Sequence, residues 1–151
     1  MLNHIPVLGT GFGMALLAWG LWRRDRSLQR VALATFFLVA LVAIPVYLTG
    51  GPAEDAVEQL AGTAKQAIEA HEDAALVSLI GVELLGVIAL GALVLRAARG
   101  PRVLTGTALI VAIVTAGLMA RTANFGGMIR HAELRGATVP QPGGEDAGEG
   151  R

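Results

Sequence analysis

Apolar and polar positions in this chain fall into long blocks rather than alternating. Residues 5–22, 31–48 and 103–120 hold no Asp, Glu, Lys or Arg, and residues 74–95 hold one, Glu83. A run of about 18 apolar residues rising about 1.5 Å each crosses a hydrocarbon core of roughly 30 Å. An amphipathic surface helix would show one polar face, and these blocks are apolar all round. The pattern predicts an all-α fold, a four-helix transmembrane bundle with spans at about 5–22, 31–48, 74–95 and 103–120.

Local signals set the expected boundaries. Pro6 falls in the first turn of span one, where a missing N–H costs nothing. Pro45 predicts a kink near the end of span two or the end of its regular part, and Thr49-Gly50-Gly51-Pro52 predicts its stop. From residue 53 to about 73, Ala56, Val57, Leu60, Ala64, Ala67 and Ile68 recur at helical spacing among acids. That predicts one or two short amphipathic helices outside the membrane, between helices two and three. Span four is expected to overrun the membrane towards His131. Residues 1–135 then form one transmembrane domain, and 136–151, rich in Gly, Pro and acid, a flexible C-terminal tail.

Composition agrees, with 54% hydrophobic residues and a mean hydropathy of +0.59. The net charge is zero but unevenly spread. Arg23, Arg24, Arg26 and Arg30 follow span one, and Arg96, Arg99 and Arg102 follow span three. The loop after span two carries Glu54, Asp55, Glu58, Glu69, Glu72 and Asp73 against Lys65 alone. Basic short loops stay in the cytoplasm. This predicts a multi-pass protein of a bacterial inner membrane with both termini periplasmic. The first apolar run lacks a basic leader and a small-residue cleavage site, which predicts a retained span. With no cysteine in the chain, thiolate metal sites and covalent haem attachment are excluded. No phosphate loop, dinucleotide fingerprint, serine elbow or zinc-protease helix occurs, which disfavours hydrolase or transferase activity and leaves no catalytic residue to name. The arginines lack interleaved aromatics, which argues against nucleic-acid binding.

The candidate chemistry lies at one end. Counting about 1.5 Å per residue from the arginine loops brings His4, His71 and His131 all to the opposite membrane surface. Imidazole ligates haem iron, copper and zinc. Two histidines on facing helices, with glycines to admit the ring, would hold haem b. His4 near Gly9, Gly11 and Gly13, and His131 near Gly126 and Gly127, form the preferred pair, and Arg121 and Arg130 are candidates for the propionates. The same histidines with Glu72 or Asp73 could instead hold Cu or Zn. Structural roles, as caps or headgroup contacts, remain the plain alternative for each. Glu83 lies near mid-membrane, where it needs a partner such as Thr115, Thr122 or Arg121, or else a proton. It is a possible proton site.

His4-Ile5-Pro6 at the start of span one and Gly126-Gly127-Met128-Ile129-Arg130-His131 at the end of span four resemble a family of small four-span bacterial membrane proteins of unknown function. The likeness covers residue 5 to about 135. It implies a fold like that of four-helix b-type cytochromes and draws attention to these histidines. The family's usual His-Phe-Pro is His-Ile-Pro here. Three functions follow as expectations: electron transfer through haem b, with quinone as a possible partner; a non-catalytic accessory subunit bound to other membrane proteins or to copies of itself; and metal-ion binding or transport.

Overall fold

The computed structural model describes the backbone of residues 4–61, 65–95 and 100–130, and side-chain surroundings at 4–49, 69–95 and 102–127. The four helices are α1 (His4–Trp22), α2 (Arg26–Ala61), α3 (Lys65–Val94) and α4 (Gly100–Arg130). Each contains a stretch long and apolar enough to cross a membrane: His4–Trp22, Arg26–Thr49, Glu69–Val94 and Arg102–Gly127. The protein is an all-α four-helix bundle of the integral membrane class.

The helices run up, down, up and down. α1 packs on α2 and α4, and α3 packs on α2 and α4, so α1 and α3 are diagonal. Glycines set these approaches. Gly9 and Gly13 lie against Val39 and Phe36 of α2, Gly86 lies against Ala40, and Gly91 lies against Leu104. Van der Waals fit is a main source of helix association in lipid, and small residues permit it. The interior is filled by Leu17, Phe36, Leu85 and Val82 among the alanines 32, 40, 43, 89, 108 and 112. The outside is apolar as well, with Leu8, Trp22, Leu38, Val87 and Ile110 among the exposed side chains.

The arginine-rich end is tightly built. α1 closes with the chain reversing at Arg24, whose φ is 56°. Asp25 then caps α2, its Oδ1 accepting from Ser27 N–H at 2.8 Å and Leu28 N–H at 3.2 Å. Gln29 donates from Nε2 to the Gly20 carbonyl at 2.9 Å, tying α2 back to α1. Trp19 and Trp22 meet edge to face with centroids 4.9 Å apart, beside the arginines, where interfacial aromatics are enriched.

Two expectations change. Pro45 does not end α2, and the Gly50-Gly51-Pro52 stop is not used. α2 continues to Ala61, and α3 starts at Lys65 and runs unbroken into its span. The helical segment expected between helices two and three exists, but as extensions of the two spans rather than as separate short helices. Proline removes one donor and frees one carbonyl. Near residue 52 the chain has left the apolar stretch, where water can satisfy the freed group. At the other end α4 overruns its span as far as Arg130, as the sequence predicts, and starts at Gly100, so that Pro101 occupies its first turn.

Candidate functional site

The start of α1, the end of α2, the start of α3 and the end of α4 share one end of the bundle. His71 lies there on the first turns of α3, half-buried against α4. Its Nδ1 is 3.0 Å from the Thr122 carbonyl oxygen. A carbonyl only accepts, so Nδ1 carries the proton. Gly126, one turn further along α4, makes room for the ring: a methyl there would sit 3.2 Å from His71 Cε1. The Thr122 side chain continues the contact. Its Oγ1 is 2.9 Å from Ser78 Oγ and also donates to the Leu118 carbonyl at 3.1 Å. His71, Thr122 and Ser78 therefore form a polar seam along the α3–α4 interface.

The other expected residues are placed as follows. His4 is exposed at the start of α1, on the helix diagonal to α3. Arg121 points to the outer side of the α3–α4 pair, its guanidinium carbon 5.4 Å from the Phe125 ring centroid. With Asp73, Val77 and Leu118 these two residues line a shallow groove of about 210 Å³. Among the described residues nothing lies within 4 Å of where a methyl on Gly127 would sit. The side chain of Arg130 and all of His131 lie outside the described residues. Among the described residues no three His, Asp or Glu side chains gather to hold a metal. The glycine run of α1 is used for packing, since Val39 and Phe36 occupy the positions beside Gly9 and Gly13, while Gly11 faces open space.

Among the described residues Glu83 is the one acid in the interior of a span; Glu69, Glu72 and Asp73 lie at the start of the third. Glu83 is half-buried, and its Oε1 is buried with no hydrogen-bond partner among the described residues. The hydroxyls expected to serve it are not spent on it: Thr122 bonds to Ser78 and to its own helix, and Thr115 Oγ1 is itself buried without a partner among the described residues. Arg121 is exposed, with its guanidinium over the Phe125 ring. A charged carboxylate at mid-membrane costs about 2.5–3.5 kcal/mol on insertion scales, which favours the neutral acid in such a setting.

Ser78 is the residue that sequence reading passed over. Its signal was the seven-residue spacing from His71, matched on α4 by Thr115 and Thr122, which places polar side chains on one seam of two packed helices. The chain matches no known family model, no curated protein and no solved structure. Its class is therefore carried by its own geometry: a multi-pass helical membrane bundle with a polar seam at one end.

Proposed function

We propose that this protein is a small electron carrier of the bacterial inner membrane that holds haem b at the His71 end of the bundle. The observation behind the reading is the His71 Nδ1–H bond to the Thr122 carbonyl. A ring nitrogen pinned by a main-chain acceptor is the outer-shell arrangement that orients a ligand imidazole and fixes its tautomer. The second imidazole comes from His4 or His131. The sequence favours His131, because α4 brings its own end to His71. Haem would supply one-electron chemistry. The chain's part is to hold the imidazoles, to keep the lower interior dry with Leu17, Phe36 and Leu85, and to offer arginines for the propionates. Val39 and Phe36 fill the space beside Gly9 and Gly13, which favours the end of the bundle over the α1–α2 seam for the ring. The basic loops favour the periplasmic side for that end.

Oxidised and reduced spectra of protein purified from haem-sufficient cells test this. The reading predicts a Soret band that His71→Ala removes or shifts. A colourless protein would end it.

A second reading, an accessory subunit of a larger membrane complex, is favoured by Gly106 and Gly117 of α4. Among the described residues a methyl on either would have no atom of another side chain or helix within 4 Å, and small residues on such a helix face allow close approach of another helix. Migration as a lone species on native gels, after mild extraction from its own host, would count against it.

A further inference from the structure

The outer side of the α3–α4 pair carries a groove at the His71 end. Asp73, Ala74 and Val77 of α3 line it with Leu118, Arg121 and Phe125 of α4, around a volume of about 210 Å³. Its side chains are apolar except for one acid and one base. Both charged residues are exposed, and among the described residues no ion pair joins them. The Arg121 guanidinium lies over the Phe125 ring, 5.4 Å from its centroid. A guanidinium stacked on a ring keeps its in-plane N–H donors for another acceptor.

Helix register orders these groups along the membrane normal. α3 and α4 are antiparallel: Ser78 meets Thr122, and Gly81 meets Thr115 and Leu118. Arg121 is therefore level with Val77. Asp73 is level with Phe125, one turn or about 6 Å nearer the His71 end. Helix rise puts Arg121 about 28 Å from Arg102, at the limit of a hydrocarbon core of roughly 30 Å. Lipid phosphates begin at that depth. Below the groove the same two helix faces continue through Leu84 and Val114, which are 52% and 58% exposed. From the core outwards this surface offers an apolar track, then a cation, then an acid.

We infer that the groove binds a phospholipid whose zwitterionic headgroup ends in a primary ammonium, a phosphatidylethanolamine. Its acyl chain lies along Leu84 and Val114. Its phosphate accepts from Arg121, in the bidentate manner that a guanidinium allows, and its ammonium donates to the Asp73 carboxylate. Other occupants match the groove less well. A choline headgroup has no N–H to give Asp73, and the Phe125 face that could hold it already carries Arg121. An anionic glycerol headgroup leaves Asp73 without a cation, and the exposed Glu69 and Glu72 repel it as well. An apolar helix from a second copy would bury both charges unpaired. The inference does not depend on haem. It turns Arg121 towards lipid and leaves Arg130 as the arginine for a propionate.

Native mass spectrometry tests it. The full chain in a mild detergent is titrated with phosphatidylethanolamine, phosphatidylcholine or phosphatidylglycerol of the same acyl chains, and the bound lipid is counted. The ethanolamine lipid should be retained about two- to fivefold more strongly than either of the others, the range that an exposed ion pair supplies. Asp73→Asn should remove the preference over the choline lipid, and Asp73→Glu should keep it. Arg121→Gln should weaken retention of all three lipids, while Arg102→Gln, at the other end of α4, should change nothing. Both groove positions are exposed, so matched thermal melts are expected for these variants. Equal retention of the three lipids, preference for the glycerol lipid, or a preference untouched by Asp73→Asn would overturn the proposal. So would equal losses in Arg121→Gln and Arg102→Gln, or a dimer mass in place of lipid adducts, which would assign the groove to a second copy.

Discussion

His71 and Thr122, 51 residues apart in sequence, are joined by one hydrogen bond of 3.0 Å from an imidazole N–H to a main-chain carbonyl. The carbonyl belongs to a helix, so the acceptor cannot swing away, and the ring takes its direction from α4. Gly126 permits the approach. Gly126→Ala is expected to push the ring off the carbonyl. Nitrogen chemical shifts of the His71 ring would report the change. An unaltered Nδ1 signal would show that the ring is held by something else.

The Ser78–Thr122 bond crosses the same interface at 2.9 Å. Interhelical hydrogen bonds measured in membranes average about 0.6 kcal/mol and reach about 1.7 kcal/mol. A double-mutant cycle of Ser78→Ala and Thr122→Val, read by unfolding in mixed micelles, should give a coupling in that range. Strict additivity would mean that the two hydroxyls do not support each other.

Gly86 packs directly on Ala40, and its Cα has no room for a substituent. Gly86→Ala should therefore part α2 from α3 and cost about 1–3 kcal/mol, the usual price of overpacking. Gly117→Ala, on a face with no neighbours, should cost little in the isolated protein. Equal effects at the two sites would contradict the packing described.

Asp25 supplies the start of α2 through two main-chain donors. Asp25→Ala removes the cap and should lower stability by about 0.5–2 kcal/mol, while Asp25→Asn should retain most of it. The comparison separates capping from charge, because asparagine keeps the acceptor and loses the negative charge among the arginines.

Much of this architecture was legible in the chain. Three uncharged blocks and a fourth with Glu83 alone read as spans, and each must be helical because every backbone group in lipid must find its partner within the helix. The overrun of α4 and the first-turn place of Pro6 followed from ordinary helix rules. The end of α2 did not. Gly50, Gly51 and Pro52 are stop signals by propensity, a weak local preference, and the helix runs on past them. The site was half legible. Depth counting placed His71 at the correct end, because helix rise is fixed. It could not say that His71 would face Thr122, or that Phe36 and Val39 would fill the space beside the α1 glycines. Those facts depend on helix rotation, which uniformly apolar blocks leave open: a helix greasy on every side offers no stripe from which to read its inward face. Glu83 shows the same limit. Its depth was readable, but its lack of a threonine partner was not.

The chain has no cysteine, so single cysteines can be introduced without background. The most direct test labels such variants, in vesicles of one orientation, with a maleimide that cannot cross the bilayer. Glu72→Cys and Asn124→Cys should react from one side, and Arg24→Cys and Arg102→Cys from the other. Leu38→Cys and Ile113→Cys should react from neither. Ready labelling at positions 38 and 113, or positions 72 and 124 reacting from opposite sides, would contradict a lipid-spanning bundle with its polar seam opening at one end.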